Sequence, residues 1–395
     1  MRVSVVVTDG EQRSALALTR SLGRTGHRVI VAASEGSSLA GASRYAADHI
    51  VVPNALENPT AFGDAIVGAV RHFSADILLP VTEASLLAML PRRESVRPCI
   101  VPFASTEGFI EICDKSLVLE AASRHGIATP RQHVLRSQAE LARLNSDLRF
   151  PVVVKPARSV ADAGVTRVKS GATHASDQAG LETIVGGIAN EAYPLLVQER
   201  VIGDGIGVFV LLWNGELRAA FAHRRIREKP PSGGVSVLSE SVALDPGLLA
   251  ASVALLRDFD WQGVAMVEYK VDQRKGIPYL MEVNGRFWGS LQLAIDAGVD
   301  FPNLLVGAAL GEPASPVGDY RLGVRLRWEW GDVDNLLIRM RRSPVSLALP
   351  RGAPGRLKGL MDFTRAFGPG TRGEVLRFSD VRPFLYETRN WFRRR

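Results

Sequence analysis

Tyr279-Leu280-Met281-Glu282-Val283-Asn284-Gly285-Arg286 follows, across a short polar turn, Val264-Ala265-Met266-Val267-Glu268-Tyr269-Lys270. Both runs are dense in β-branched and aromatic residues and are bounded by turn formers, so they predict a hairpin over Gly263–Asp272 and Pro278–Asn284. Side chains alternate along a strand, which puts Glu282, Asn284 and Arg286 on one face and Met281 and Val283 on the other. If the two strands pair, Glu268 can lie opposite Glu282. Two carboxylates and an amide oxygen then form an all-oxygen donor set that suits Mg²⁺ (or Mn²⁺), with water and phosphate oxygens completing the octahedron. Arg286, one step further along, can grip an anionic substrate bidentately. The alternative is a polar sheet face closed by its own salt bridges.

Upstream, Pro151-Val152-Val153-Val154 delivers Lys155 at the end of an apolar strand read over Phe150–Pro156. A buried ammonium is costly unless an anion neutralises it. The segment Ala157–Val165 could then wrap a phosphate through backbone N–H groups. Gln198-Glu199-Arg200-Val201-Ile202-Gly203 is an extended stretch whose backbone could face an adenine edge, or an ordinary strand end. Asn214-Gly215 predicts a tight hairpin joining Gly207–Trp213 to Glu216–His223. The run His223–Gly234 is basic and then glycine-rich, and alternation would place Arg225 and Arg227 on one face with His223. One of these arginines would neutralise a γ-phosphate or a second substrate beneath a Gly233-Gly234 lid; a solvated basic hairpin is the plainer alternative.

The first hundred residues alternate strands (Val3–Val7, Val29–Ala33, Ile50–Val52, Ile77–Pro80, Ile100–Pro102) with helices (Ala15–Arg24, Ala61–Phe73). That rhythm predicts a parallel sheet covered on both faces. The first turn, Thr8-Asp9-Gly10-Glu11-Gln12-Arg13, lacks the glycine fingerprint, so a nicotinamide site is not read there. Glu83, following a strand end, is placed where a substrate could reach. Further helices are read at Lys115–His125, closed by Gly126, and at Gln178–Asn190, Gly247–Asp258, Ser290–Ala297 and Phe301–Leu310.

The chain has 395 residues, enough for two or three domains. Two cysteines, Cys99 and Cys113, exclude a disulfide scaffold and a cysteine-rich zinc site. No run approaches the roughly 20 apolar residues of a membrane span, and the expected location is cytoplasmic. The net charge is +7, yet residues 321–395 hold 17 Lys/Arg against 7 Asp/Glu, leaving 31 basic and 34 acidic in the rest. This C-terminal charge could touch an anionic lipid or polymer, or be solvated surface with a few internal ion pairs. Nucleic acid is not expected, because no DNA- or RNA-binding motif and no aromatic–basic interleaving is present.

The order Lys115, Lys155, Gln198-Glu199-x-Val201-x-Gly203, Glu268, Glu282-x-Asn284-x-Arg286 resembles the ATP-grasp superfamily, in its carboxylate–amine ligase branch near carbamoyl-phosphate synthase and biotin carboxylase. The resemblance covers roughly residues 1–315. It implies an α/β and α+β architecture: a Rossmann-like domain (1–112), two ATP-grasp subdomains (113–192 and 193–315) and a basic C-terminal extension (316–395). It further implies ATP phosphates on Lys115 and Lys155, and adenine at the Glu199 carbonyl and Val201 amide with the Gln198 side chain nearby. Glu268, Glu282 and Asn284 would hold magnesium, and Arg286 would steady a carboxylate or acyl phosphate. Two departures stand out: glycine replaces the usual ribose-binding acid after the hinge, leaving Asp204 as substitute, and the loop after Lys155 is glycine-poor, with Arg158 offering charge instead. The activity implied joins a small-molecule or peptide carboxylate to an amine, with bicarbonate activation or a non-catalytic ATP-binding scaffold as alternatives and a homodimer as a possible assembly.

Overall fold

The computed structural model describes residues 1–144, 148–313, 317–344, 346–347, 349, 353–368 and 370–394. In chain order the elements of the N-terminal third are β1 (Ser4–Val7), α1 (Arg13–Arg24), β2 (Arg28–Ala33), β3 (Asp48–Val51), α2 (Pro59–His72), β4 (Ile77–Leu79), α3 (Glu83–Met89), α4 (Thr106–Cys113) and α5 (Lys115–Arg124). Their strands form a parallel sheet in the order β3-β2-β1-β4. The fifth strand read at Ile100–Pro102 is reduced to a single parallel bridge, Ile77 to Ile100.

The middle of the chain holds β5 (Gln132–Leu135), β6 (Val152–Pro156), β7 (Val160–Ala163), β8 (Thr166–Lys169), β9 (Thr173–Ala175), α6 (Gln178–Gly186) and β10 (Leu195–Glu199). Strands β5-β10-β6-β9 make an antiparallel sheet, while β7 and β8 pair as a separate ribbon. The helix read to Asn190 stops at Gly186, with Gly187 as its cap.

Then come β11 (Gly203–Trp213), β12 (Glu216–Lys229), β13 (Val235–Ser241), α7 (Pro246–Arg257), β14 (Gly263–Asp272), β15 (Pro278–Asn284), α8 (Leu291–Ala297), α9 (Phe301–Ala309), β16 (Arg325–Arg327), α10 (Glu329–Arg341), α11 (Arg356–Arg365), β17 (Thr371–Gly373) and α12 (Arg382–Arg393). Seven strands form one sheet, β15-β14-β11-β12-β13-β16-β17. β11 begins four residues earlier than the sequence pattern indicates, because Gly203 and Gly205 continue the ladder against β14. A Cβ at Gly203 would stand 1.6 Å from the Val271 carbonyl oxygen, so this close approach requires glycine. β12 likewise runs on through the basic cluster to Lys229.

The apolar residues fall into two clusters. The larger runs from the N-terminal sheet through the central strands to Leu326 and Val375. The smaller one, including Leu135, Val154, Leu181 and Val197, belongs to the β5-β10-β6-β9 sheet with α6. The basic C-terminal segment is stitched into the body. Arg20 on α1, 3% exposed, donates to Asp380 Oδ2 at 2.8 Å and to the carbonyls of Glu374, Val375 and Asp380. Arg377 pairs with Asp296 at 2.6 Å, and the Tyr386 hydroxyl donates to the Ser37 carbonyl.

Candidate active site

The alternation of β14 and β15 has the consequence expected of it. The strands pair antiparallel with Glu268 opposite Glu282 and Met266 opposite Asn284. Gly285 ends the strand where the Trp261 indole lies underneath: a Cβ there would come within 2.3 Å of the ring. On the polar face, Asn284 Nδ2 donates to Glu282 Oε1 at 3.0 Å, and Arg286 Nη2 donates to Asn284 Oδ1 at 3.0 Å. Arg286 is therefore aligned by the residue two positions before it.

Lys115 arrives from α5. The Asp114 side chain caps that helix by accepting from Ser116 and Leu117, and the Lys115 amide donates to the Ala157 carbonyl. Both contacts press the first turn against the strand that ends at Pro156. Its ammonium donates to Ser159 Oγ at 2.8 Å and stands 3.8 Å from Glu282. Lys155 is 9% exposed and donates to the Met281 carbonyl at 3.2 Å. Burial lowers its pKa to about 8 despite the attraction of Glu282. Burial alone would raise the Glu282 carboxyl, but Lys115 and Lys155, the Asn284 hydrogen bond and Arg286 together hold it down at about 2.

A cavity opens over these groups, lined by Glu83, Phe109, Cys113, Lys115, Ser159 and the run Glu282–Arg286. Glu83 accepts from the Val160 amide at 3.2 Å; burial raises its pKa, opposed by Arg286 and Lys115. Burial pushes the Cys113 thiol well up, so it is a wall and not a nucleophile. Ser159 escaped the sequence reading, since a serine in a loop carries no spacing signal. Its role appears once α5 brings Lys115 beside it.

The other candidates lie around this cavity without lining it. Glu268 is bound by Arg225 Nη2 at 2.5 Å, and Arg225 also donates to Glu228 and to the Gly234 carbonyl. Burial raises the Glu268 carboxyl, with Arg225 opposing. Arg227, expected beside Arg225, is instead held by both oxygens of Asp332 at 2.7 Å. The strand bulges around Arg225–Glu228, which breaks simple alternation there. His223 is buried against the Phe209 ring, and burial holds its imidazole well below the usual range. Gln198 is spent on Gln132 Oε1 at 3.1 Å. The Glu199 amide donates to the Arg131 carbonyl, while its buried Oε1 has no hydrogen-bond partner among the described residues. Val201 is buried in the loop between β10 and β11. Asp204 is exposed on β11, 3.8 Å from Arg224. Arg158 pairs with Asp114 at 3.3 Å.

Glu268, Glu282 and Asn284 offer only oxygen donors, and Glu282 and Asn284 already hold cationic groups between the strands. Such a set fits a hard divalent cation. A parallel-sheet domain, a small antiparallel sheet bearing one lysine, and a large sheet bearing Glu-x-Asn-x-Arg together make a fold of the ATP-grasp type. Residues 191–331 match the family described as "ATP-grasp in the biosynthetic pathway with Ter operon".

Three solved structures share the architecture. An L-amino acid ligase from Bacillus licheniformis is 17% identical, with a TM-score of 0.62 over 79% of this chain and 75% of that one. The biotin carboxylase domain of the 2-oxoglutarate carboxylase from Hydrogenobacter thermophilus, bound to MgADP and bicarbonate, is 15% identical, with a TM-score of 0.64 over 82% and 74%. The N5-carboxyaminoimidazole synthetase from Staphylococcus aureus, complexed with ADP, is 12% identical, with a TM-score of 0.62 over 82% of each chain. A provisionally named urea carboxylase of Emericella nidulans is 24% identical over 273 residues, which is 62% of this chain. The chain spans 21% of the length of that relative.

Proposed function

We propose that the chain is an ATP-dependent ligase that activates a carboxylate as an acyl phosphate and joins it to an amine, releasing ADP and phosphate. The observation that carries this is the convergence of Lys115, Lys155 and Arg286 on Glu282 and Asn284, with all but Lys155 lining one cavity. Three cations around two oxygen donors suit a triphosphate whose charge spreads during transfer, a reaction governed by positioning and electrostatics. Lys115 and Lys155 would neutralise phosphate oxygens. Arg286, held by Asn284, would orient the substrate carboxylate, one oxygen of which attacks the γ-phosphorus as ADP leaves. The amine then attacks the acyl carbon and phosphate departs. Mg²⁺ (or Mn²⁺), when bound by Glu282, Asn284 and Glu268, would supply further positive charge against the phosphate oxygens. Arg225 fixes Glu268 and reaches the Gly234 carbonyl, so the turn after β12 is tied to this face and would exclude water from the acyl phosphate.

The same reading assigns adenine to the Gln198–Val201 stretch and ribose to Asp204, divides the chain at 112, 192 and 315, and places the protein in the cytoplasm. A second reading, bicarbonate as the acid, is favoured by the names of the urea carboxylase and biotin carboxylase relatives. ADP release with MgATP decides between them. Release requiring both an acid and an amine, and lost in Glu282→Gln, is expected; release with bicarbonate alone would support the second reading. ATP binding without stimulated release from any pool of acids and amines would refute both.

A further inference from the structure

α11 presents an apolar stripe to solvent on a helix whose opposite face is anchored. Leu357, Leu360 and Met361 recur at the i, i+3, i+4 spacing and are 73%, 41% and 43% exposed. On the other side Phe363 lies under the Arg327 guanidinium at 4.3 Å, and the Asp362 carbonyl accepts from Arg227 at 3.0 Å. The helix therefore cannot roll to bury its stripe. Helical geometry places Arg356 along one border of the stripe and Lys358 and Arg365 along the other. Arg356 and Lys358 have no ion-pair partner among the described residues, and Arg365 has the Asp362 carboxylate at 3.9 Å. At the end of the neighbouring α10, Arg341 and Arg342 line an open cavity with Lys229, Pro230, Asp334, Leu337 and Ile338.

An apolar stripe bordered by cations suits the boundary of a bilayer, where aliphatic side chains enter the acyl region and Lys/Arg meet headgroup phosphates. A soluble polyanion would match the cations alone and leave Leu357 and Met361 in water. A second copy of this positively charged surface would repel it. We propose that α11, with the end of α10, docks the protein on an anionic membrane surface. The surface is remote from Glu282 and Arg286 in sequence and shares no lining residue with their cavity, so the inference is independent of the ligase reading.

Flotation of the full chain with phosphatidylcholine vesicles containing 30% phosphatidylserine tests it. Binding is expected to these vesicles, not to pure phosphatidylcholine, and to weaken steeply at high salt. Each cation at the surface contributes roughly fivefold, so Lys358→Glu with Arg365→Glu should weaken binding at least tenfold. Leu357→Gln with Met361→Gln, which leaves the charge unchanged, should weaken it at low salt with the chain still folded by circular dichroism, since the two side chains are 73% and 43% exposed. Failure of the wild-type chain to float would overturn the proposal. So would full binding by the Leu357/Met361 variant, which would mean charge alone. Concentration-dependent dimerisation abolished by that variant, without vesicle binding, would reassign the surface to self-association.

Discussion

Lys155→Met should stabilise the nucleotide-free protein while abolishing its response to ATP. The side chain is nearly inaccessible, and its pKa of about 8 lies well below the ordinary 10.5. At about 1.4 kcal/mol per unit, holding this amine charged at neutral pH costs on the order of 3 kcal/mol. Methionine keeps the volume and removes the charge. Part of the gain is returned. The Met281 carbonyl loses its donor, worth about 1 kcal/mol, and Glu282 loses one of the cations that hold it at about 2. A net gain of roughly 1 kcal/mol remains. Urea unfolding at pH 7, followed by tryptophan fluorescence, measures it. Adding MgATP should raise the midpoint of the wild-type protein, since ligand binds the folded state, and leave the variant unmoved. The pH dependence supplies a second reading. Between about 8 and 10.5 the folded amine is neutral while the unfolded one is still protonated, so this group makes stability rise with pH in the wild type alone. A variant that lost more than about 1 kcal/mol, or still showed that rise, would refute the argument.

Arg20→Met leaves Asp380 buried without its guanidinium and should cost about 3–5 kcal/mol; chemical denaturation measures this, and Arg20→Met combined with Asp380→Asn should cost less than the sum. Glu387 sits near Glu329, and burial raises its carboxyl to about 7 while the Trp328 indole donates to it at 2.7 Å. Its folded pKa exceeds the unfolded one, so its contribution is present below about 4.5 and lost as pH rises to 7. Glu387→Gln keeps an acceptor for Trp328 and should flatten the fall in Tm across that window.

What could be read from the chain alone was whatever depends on local period. A strand alternates with period two, so the shared face of Glu282, Asn284 and Arg286 needed no tertiary knowledge. The pairing of Glu268 with Glu282 then followed from the short turn between the strands. Lys115 read locally only as the start of a helix, and joined the site through the family resemblance. Arg227 shows where such reasoning ends: its partner Asp332 lies 105 residues away, and a bulge removes the alternation that linked it to Arg225. The strand was read only from Gly207, because glycine disfavours strands, whereas at Gly203 the proximity of the Val271 backbone demands it. Internal ion pairs were one reading of the C-terminal cations, but nothing local announces that Arg377 will meet Asp296, or that Asp380 will receive Arg20.

The two hydrophobic cores also divide the molecule into two lobes. The N-terminal sheet and the seven-stranded sheet share one core, and α1 is tied to the C-terminal segment by Arg20–Asp380 and Arg13–Glu374. The sheet carrying Lys155 has a core of its own. The two cores still meet on β10, where Leu196 packs into the larger one while Leu195 and Val197 belong to the smaller. Bonds between this smaller lobe and the rest include Lys155 to the Met281 carbonyl, Lys115 to the Ala157 carbonyl and Ser159, the Val160 amide to Glu83, and Arg167 to the carbonyls of Leu56 and Ala84. On the proposed function, an anion meeting Lys155 would compete with the Met281 carbonyl for the same ammonium, so the residue that would bind phosphate is also one of those joining the two lobes.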